Sequence, residues 1–187
     1  VYTKQGTWRE IQDKLIVPKN RLIELTKGSL TLGSLIVEPF SVSHDAADPI
    51  GINVFAGNNK ATIVTDTGVI SDNILRRIDD TTLLVLEANY DPHMLRFGPY
   101  QPFLKQRVAS DEGHLSNEMA AQALLMMKRP DFMQVILAHR SENNNNAVLV
   151  TQTIGKMLVD GGVRIGPEMK LQHGQPNEIV SIQSVER

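Results

Sequence analysis

A layered α/β fold with some α+β character is predicted by three features of the sequence. Short runs of β-forming residues alternate with helix-length segments, several of those runs are continuously apolar, and one pair of runs is joined by a tight hairpin signal. Continuous apolar runs suit strands covered on a sheet's faces, and alternation with helices suits a layered sheet. The hairpin adds antiparallel pairing, so a purely doubly wound parallel sheet is not the expectation.

In chain order, Thr7-Trp8-Arg9-Glu10 resembles a helix start, with the helix running to about Leu15 before Pro18 interrupts. Ser29 to His44 reads as two strands broken at Gly33, with Ile36, Val37, Phe40 and Val42 as the β-formers. Ile52–Phe55 and Ala61–Thr65 form the hairpin, joined through Gly57-Asn58-Asn59. Ser71-Asp72-Asn73 caps a short helix ending near Ile78, and Thr82–Leu86 is an apolar strand. Tyr100–Val108 and Asn117–Lys128 are predicted helices, the second capped by Ser116, and Met133–Ala138 is another strand. Ala147–Val159 is an amphipathic helix stopped by Gly161-Gly162, and Val163–Ile165 and Ile179–Val185 are predicted strands. No repeat, charge block or Gly/Ser linker divides residues 1–187, which read as a single domain.

Composition narrows the function classes. The chain has 187 residues, 41% hydrophobic and 21% charged, enough for a sizeable core and ordinary for a globular protein. No apolar stretch is long enough for a transmembrane helix, and no signal-peptide pattern is present, so the cytoplasm is the expected compartment. With no Cys, disulfides, thiolate metal sites and Cys nucleophiles are excluded, and a metal has to be held by His and carboxylate. A net charge of −2 argues against a broad basic face for nucleic acid but leaves room for a local phosphate grip. The Met residues, Met119, Met126 and Met127 among them, read as core filler on helix faces.

The informative pattern is where metal-capable residues fall. Phe40-Ser41-Val42-Ser43 leads into His44, Ala61–Thr65 into Asp66, Leu83–Leu86 into Glu87, and Gln134–Ala138 into His139. Layered α/β folds bind ligands outside strand ends, so these four groups can meet at one sheet edge. Imidazole mixed with carboxylate suits Zn, Mn or Fe better than Ca. A single strand-terminal His or Asp is commonly just a turn residue; the fourfold pattern is what carries weight. Gly113-His114-Leu115-Ser116-Asn117 adds a fifth group just before a helix, where His114 can pass a proton to a leaving oxygen. The plainer alternative is that Ser116 only caps the helix and His114 is exposed.

Read together, Phe40-Ser41-Val42-Ser43-His44-Asp45-Ala46-Ala47-Asp48-Pro49, Thr65-Asp66-Thr67-Gly68, Glu87-Ala88-Asn89-Tyr90-Asp91, Gly113–Asn117 and Ala138-His139-Arg140-Ser141-Glu142-Asn143-Asn144 resemble, in that order, the YycJ/WalJ (VicX) family of metallo-β-lactamase-fold hydrolases. The resemblance covers nearly the whole chain from Tyr2, with Tyr90 and Arg140 standing where it leads one to expect His and Leu. It implies a four-layer αββα sandwich with two divalent metal ions, Zn, Mn or Fe, at the sheet edge. By position, His44 resembles a ligand of the first metal, Asp66 the carboxylate bridging both, and His139 a ligand of the second. His114 is similar to a catalytic His of related phosphodiesterases, with Asp66 sharing the catalytic role through the metals. Glu87, Asn89, Asp91, Ser116, Asn117 and Asn143 are expected to line or support the site. Arg96, Lys105 and Arg107 are candidates to hold flanking phosphates, or simply a solvated helix face; His93 and His173 are expected to face solvent outside the site.

The family also carries a His-x-His-x-Asp-His run, and the five His here (His44, His93, His114, His139, His173) include no such spacing. The expectation is that this motif precedes Val1, that the 187 residues are the C-terminal larger part of the domain, and that they bind metal weakly and are inactive alone. Missing strands would leave a sheet edge open to self-association. The implied activity is metal-dependent phosphodiester hydrolysis, with 5′-3′ exonuclease action on DNA. Two alternatives remain: a metallohydrolase of a small ester, thioester or lactone, and a metal-free interaction module.

Overall fold

The computed structural model describes residues 1–25 and 28–182. Nine strands and six helices follow in the order β1 (Tyr2–Thr3), α1 (Gln5–Ile11), β2 (Ile23–Glu24), β3 (Leu30–Leu32), β4 (Leu35–Ser41), β5 (Ile50–Ala56), β6 (Asn59–Val64), α2 (Asp72–Ile78), β7 (Leu83–Glu87), α3 (Pro92–Phe97), α4 (Pro102–Val108), α5 (Asn117–Met126), β8 (Met133–Ala138), α6 (Ala147–Asp160) and β9 (Met169–His173). β1 and β2 form a small parallel pair; the other strands make one seven-stranded sheet in sequential order β3 to β9.

The sheet changes character at β6. From β3 to β6 neighbours are antiparallel; tight turns join β3 to β4 and β5 to β6, where Gly33 and Gly57 take the positive φ that such turns demand (61° and 56°), and the longer loop after β4 carries His44. From β6 to β9 neighbours are parallel, and the crossovers contain α2, then α3 to α5, then α6. Parallel strands bring their C-terminal ends to the same edge, and that geometry gathers the site.

Helices cover one face. Ile74 and Ile78 of α2, Ala120 and Leu124 of α5, and Val150, Ile154 and Leu158 of α6 join Val64, Leu84, Leu86, Val135 and Leu137 of the sheet in one buried cluster. Ser71, Ser116 and Asn146 each accept a backbone N–H three residues on, capping α2, α5 and α6. The opposite face carries Ile52, Ile63, Val85 and Ile136 in register across four adjacent strands, and Ile63 is 42% exposed. Of the expected αββα layers, the described residues show this helix-on-sheet packing, with the Ile63 face of the sheet part-exposed.

Several local expectations change. The first helix is Gln5–Ile11 rather than Thr7–Leu15, and it buries none of its residues, so no packing extends it. α3 was not legible because its six residues are too few for periodicity, although Asp91 caps it and Pro92 opens it; His93 lies on it, exposed as expected. The strand expected at Val163–Ile165 is a turn in which Ile165 bridges to Met169, and the true final strand is β9. Residues 179–182 form no strand, and 183–185 lie outside the described residues. Met127 is buried and Met119 packs against the core, but Met126 is 68% exposed. Among the described residues no helix is long and apolar enough to cross a membrane.

The two faces make opposite predictions for adjacent strands. Leu86→Ala, at a site 0% exposed, is expected to cost about 2–5 kcal/mol in urea denaturation. Ile63→Ala is expected to cost about 1 kcal/mol or less, because its side chain already meets solvent. Equal losses would mean that both faces are covered in solution.

Candidate metal centre

Each of the four strand-end residues arrives by the same route. β4, β6, β7 and β8 end at one edge of the sheet, β4 separated from β6 by the oppositely running β5; His44, Asp66 and His139 follow β4, β6 and β8, and Glu87 is the last residue of β7. Asp66 and His139 both sit at positive φ (54° and 52°), a conformation that costs non-glycine residues energy and is held only where surroundings over-determine it. His114 comes from the loop between α4 and α5 and reaches the same place.

Glu87 organises the group. It is 0% exposed, and one carboxylate oxygen lies 2.7 Å from Nδ1 of both His114 and His139, while the other accepts the Thr67 backbone N–H at 3.1 Å. A carboxylate only accepts, so both Nδ1 atoms carry hydrogen and Nε2 of each neutral ring is left with the free lone pair. His44 is set the same way, its Nδ1 3.0 Å from the Gly113 carbonyl oxygen and its Nε2 3.6 Å from Asp66 Oδ1. His139 Nδ1 lies 3.7 Å from the same Asp66 oxygen. Asp66, Glu87, His114 and His139 can each bring one ligand atom within 4.8 Å of the others, and the rings of His44 and His139 stand 5.0 and 5.2 Å from that of His114.

This donor set fits a divalent cation. Imidazoles with Nδ1 committed to carboxylate or carbonyl and Nε2 free are oriented as metal ligands usually are, and Asp66 supplies the hard oxygen. Hydrogen bonding to Glu87 raises the His139 pKa against the opposing effect of burial. Burial pushes the Glu87 carboxyl up, but the hydrogen bonds from His114 and His139 outweigh it and hold it below the usual range.

A cavity of about 460 Å³ opens over these residues, lined by His44, Asp66, Asn89, His114, His139 and Asn143 among others. Asn89 also donates from Nδ2 to the His139 carbonyl at 2.7 Å, fixing that turn. Three expected residues stand back from the cavity. Asp91 caps α3, Ser116 caps α5, and Asn117, 0% exposed, exchanges side-chain hydrogen bonds with Asn145 under the site floor.

The phosphate candidates separate likewise. Arg107 borders the cavity but is clasped by Asp45 through two hydrogen bonds, Lys105 donates to the Arg96 carbonyl at 2.8 Å, and Arg96 lies over the Phe97 ring. His173, expected in solvent, is a partly buried residue of β9 whose Nε2 meets the Thr151 hydroxyl at 2.9 Å. Sequence reasoning passed over Asp45, Arg140 and Glu142. Asp45 and Glu142 stood inside the quoted motifs, but nothing in a lone charged residue after a His marks which way it is used.

Residues 1–139 match the beta-lactamase superfamily domain. The chain is 33% identical over 187 residues to exodeoxyribonuclease YycJ of Bacillus anthracis, covering 99% of this chain and 71% of that protein. It is 30% identical over 182 residues to exodeoxyribonuclease WalJ of Streptococcus pneumoniae serotype 2, strain D39, covering 95% and 67%. Among solved structures, the metallo-beta-lactamase fold protein YhfI from Bacillus subtilis superposes with a TM-score of 0.65 at 13% identity, over 93% of this chain and 61% of that one. The chain therefore spans 61% of that structure's length, and the likeness is one of fold.

The Glu87 bridge has a signed pH dependence. The raised His139 contributes stability below its unfolded pKa of about 6.5 and loses it as pH rises through the folded value; the depressed Glu87 contributes above about 4.3 and loses it on acidification. The urea stability of the metal-free chain over Glu87→Gln is therefore expected to be greatest near about pH 6 and to shrink toward about pH 8. A gap that widens over that range would remove the charged bridge from the account.

Proposed function

The chain belongs to the beta-lactamase superfamily, and from that premise and its site we propose that it works as the larger part of a metal-dependent phosphodiesterase domain, a 5′-3′ exonuclease on DNA. The observation that carries the reading is Glu87 holding the rings of His114 and His139 on a single oxygen beside Asp66. One imidazole is thereby placed to bind metal and the other to serve as an acid, from the same buried support.

His44, Asp66 and His139 would hold divalent cations, Zn or Mn by donor chemistry, and such ions supply a water ionised near neutral pH and positive charge facing a phosphodiester. Two cations need more ligands than these residues provide, so a full pair calls for donors from outside them. His44 is held by the Gly113 carbonyl and His139 by Glu87, so neither ring has to reorient when metal binds. Glu87 keeps His114 from rotating through its Nδ1–H, and in the imidazolium form the ring would present Nε2–H as the proton donor to the leaving oxygen. Asn89 and Asn143 on the cavity wall offer amide hydrogen bonds to the sugar-phosphate chain. The similarity to two exodeoxyribonucleases favours DNA over a small ester, thioester or lactone. A cytoplasmic setting accords with that substrate.

In metal-loaded protein that also carries the His-x-His-x-Asp-His segment, His114→Ala is expected to slow digestion of linear DNA by roughly 10²–10⁴-fold with metal content unchanged. Removing metal with a chelator is expected to abolish digestion. A variant that loses its metal but little turnover would reverse the roles given to His114 and the ligands. Elemental analysis of the 187-residue chain is expected to give fewer than two tightly held ions.

A further inference from the structure

A second cavity, of about 590 Å³, lies beyond His139 and shares His139, Arg140 and Glu142 with the cavity over the metal centre. Its far side is formed by Asn146 and Ala147, at the start of the 14-residue helix α6, and by Gly174 and Gln175 after β9. Arg140 belongs to both walls. Its Nη1 is buried, and among the described residues it has no hydrogen-bond partner and its guanidinium no ion pair. A guanidinium nitrogen withdrawn from water with no acceptor is costly, and a planar set of donors in that state matches an oxyanion.

We propose that Arg140 is a phosphate hook, and that the cavity beyond His139 is an oxyanion subsite holding a phosphate of the polynucleotide while a neighbouring phosphodiester lies at the metal centre. Three observations support it. The two cavities are adjacent, with His139, Arg140 and Glu142 lining both, so a strand lying across these residues would reach both. The positive end of α6 borders the subsite and favours the same charge as Arg140 does. Beside Arg140, His173 is disfavoured as a cation by burial and by the Arg140 charge, and its own Nδ1 is buried without a partner among the described residues. Glu142, exposed, is the acidic group among the lining residues, and no ion pair joins it to Arg140 among the described residues.

The subsite deepens the phosphodiesterase reading and rests on it for the identity of the oxyanion. Its test uses the metal-free 187-residue chain, titrated with inorganic phosphate and with fluorescent oligodeoxynucleotides bearing a 5′-phosphate or a 5′-hydroxyl. Arg140→Ala is expected to weaken phosphate binding about tenfold or more, Arg140→Lys to recover part of the loss, and Glu142→Gln to tighten binding. Loss confined to the 5′-phosphorylated oligonucleotide identifies a terminal monoester in the subsite; equal loss on both identifies a backbone diester. Thermal unfolding of each variant checks the fold, and if Arg140→Ala does not fold, Arg140→Lys and Glu142→Gln decide. Phosphate affinity unchanged in folded Arg140 variants overturns the subsite, even if the metal-loaded protein digests DNA. Affinity that follows Arg140, together with no DNA cleavage by metal-loaded protein that carries the His-x-His-x-Asp-His segment, keeps the subsite and overturns the phosphodiesterase reading instead.

Discussion

Everything at this sheet edge depends on one buried carboxylate. Glu87 ends a strand of Leu and Val, is 0% exposed, and would be intolerable there as an isolated charge. It is kept because the two imidazoles and the Thr67 N–H satisfy it, and that requirement reaches well beyond a local contact. Thr67 belongs to the loop after β6, His114 to the loop before α5, and His139 to the turn after β8. One group thus fixes three chain segments from separate crossovers. The positive φ of Asp66 and His139 lies immediately next to those fixed points, where strain can be sustained.

Close backbone approach completes the arrangement. An added Cβ at Gly68 would run into the Ser110 and Asp111 backbone, and one at Gly113 into the carbonyls of Arg107 and Val108. The Gly68 N–H also donates to the Ser43 carbonyl and the Asp45 N–H to that of Glu112. The loops bearing His44, Asp66 and His114 are therefore laced to one another as well as to Glu87. Rigid positioning of this kind lets a metal ligand set form from residues far apart in sequence without ordering them at the moment of binding.

The strand-end rule made much of this legible. A strand ending in His44, Asp66, Glu87 or His139 predicts its own contribution, because parallel strands share an edge and the apolar run fixes where each stops. The division of labour was not legible. Whether Glu87 binds an ion or aligns ligands depends on partners 27 and 52 residues away, and no spacing encodes that. Elements were lost for local reasons: α3 is too short to show a period, and β9, Met-Lys-Leu-Gln-His, is an edge strand whose alternation is shallow. Asn117 looked like a site residue beside His114, yet its side chain turns inward to Asn145, because the residue after a helix cap begins the buried face of α5.

Two arginines near the site show how charge is used in a chain whose formal net charge is −2. Such a chain cannot attract a polyanion through its overall field, so recognition has to come from individual cations placed where the surroundings sharpen their effect. Arg107 is not one of them: Asp45 neutralises it, and the pair instead stands beside His44, whose Nε2 is 3.5 Å from Asp45 Oδ1. Its contribution is to brace the ligand loop. Arg140 has the opposite surroundings, with a buried Nη1 that has no hydrogen-bond partner among the described residues and a His neighbour that resists becoming a cation. A buried guanidinium nitrogen without an acceptor is costly, and an anion entering the adjacent cavities beside His139 would relieve that cost.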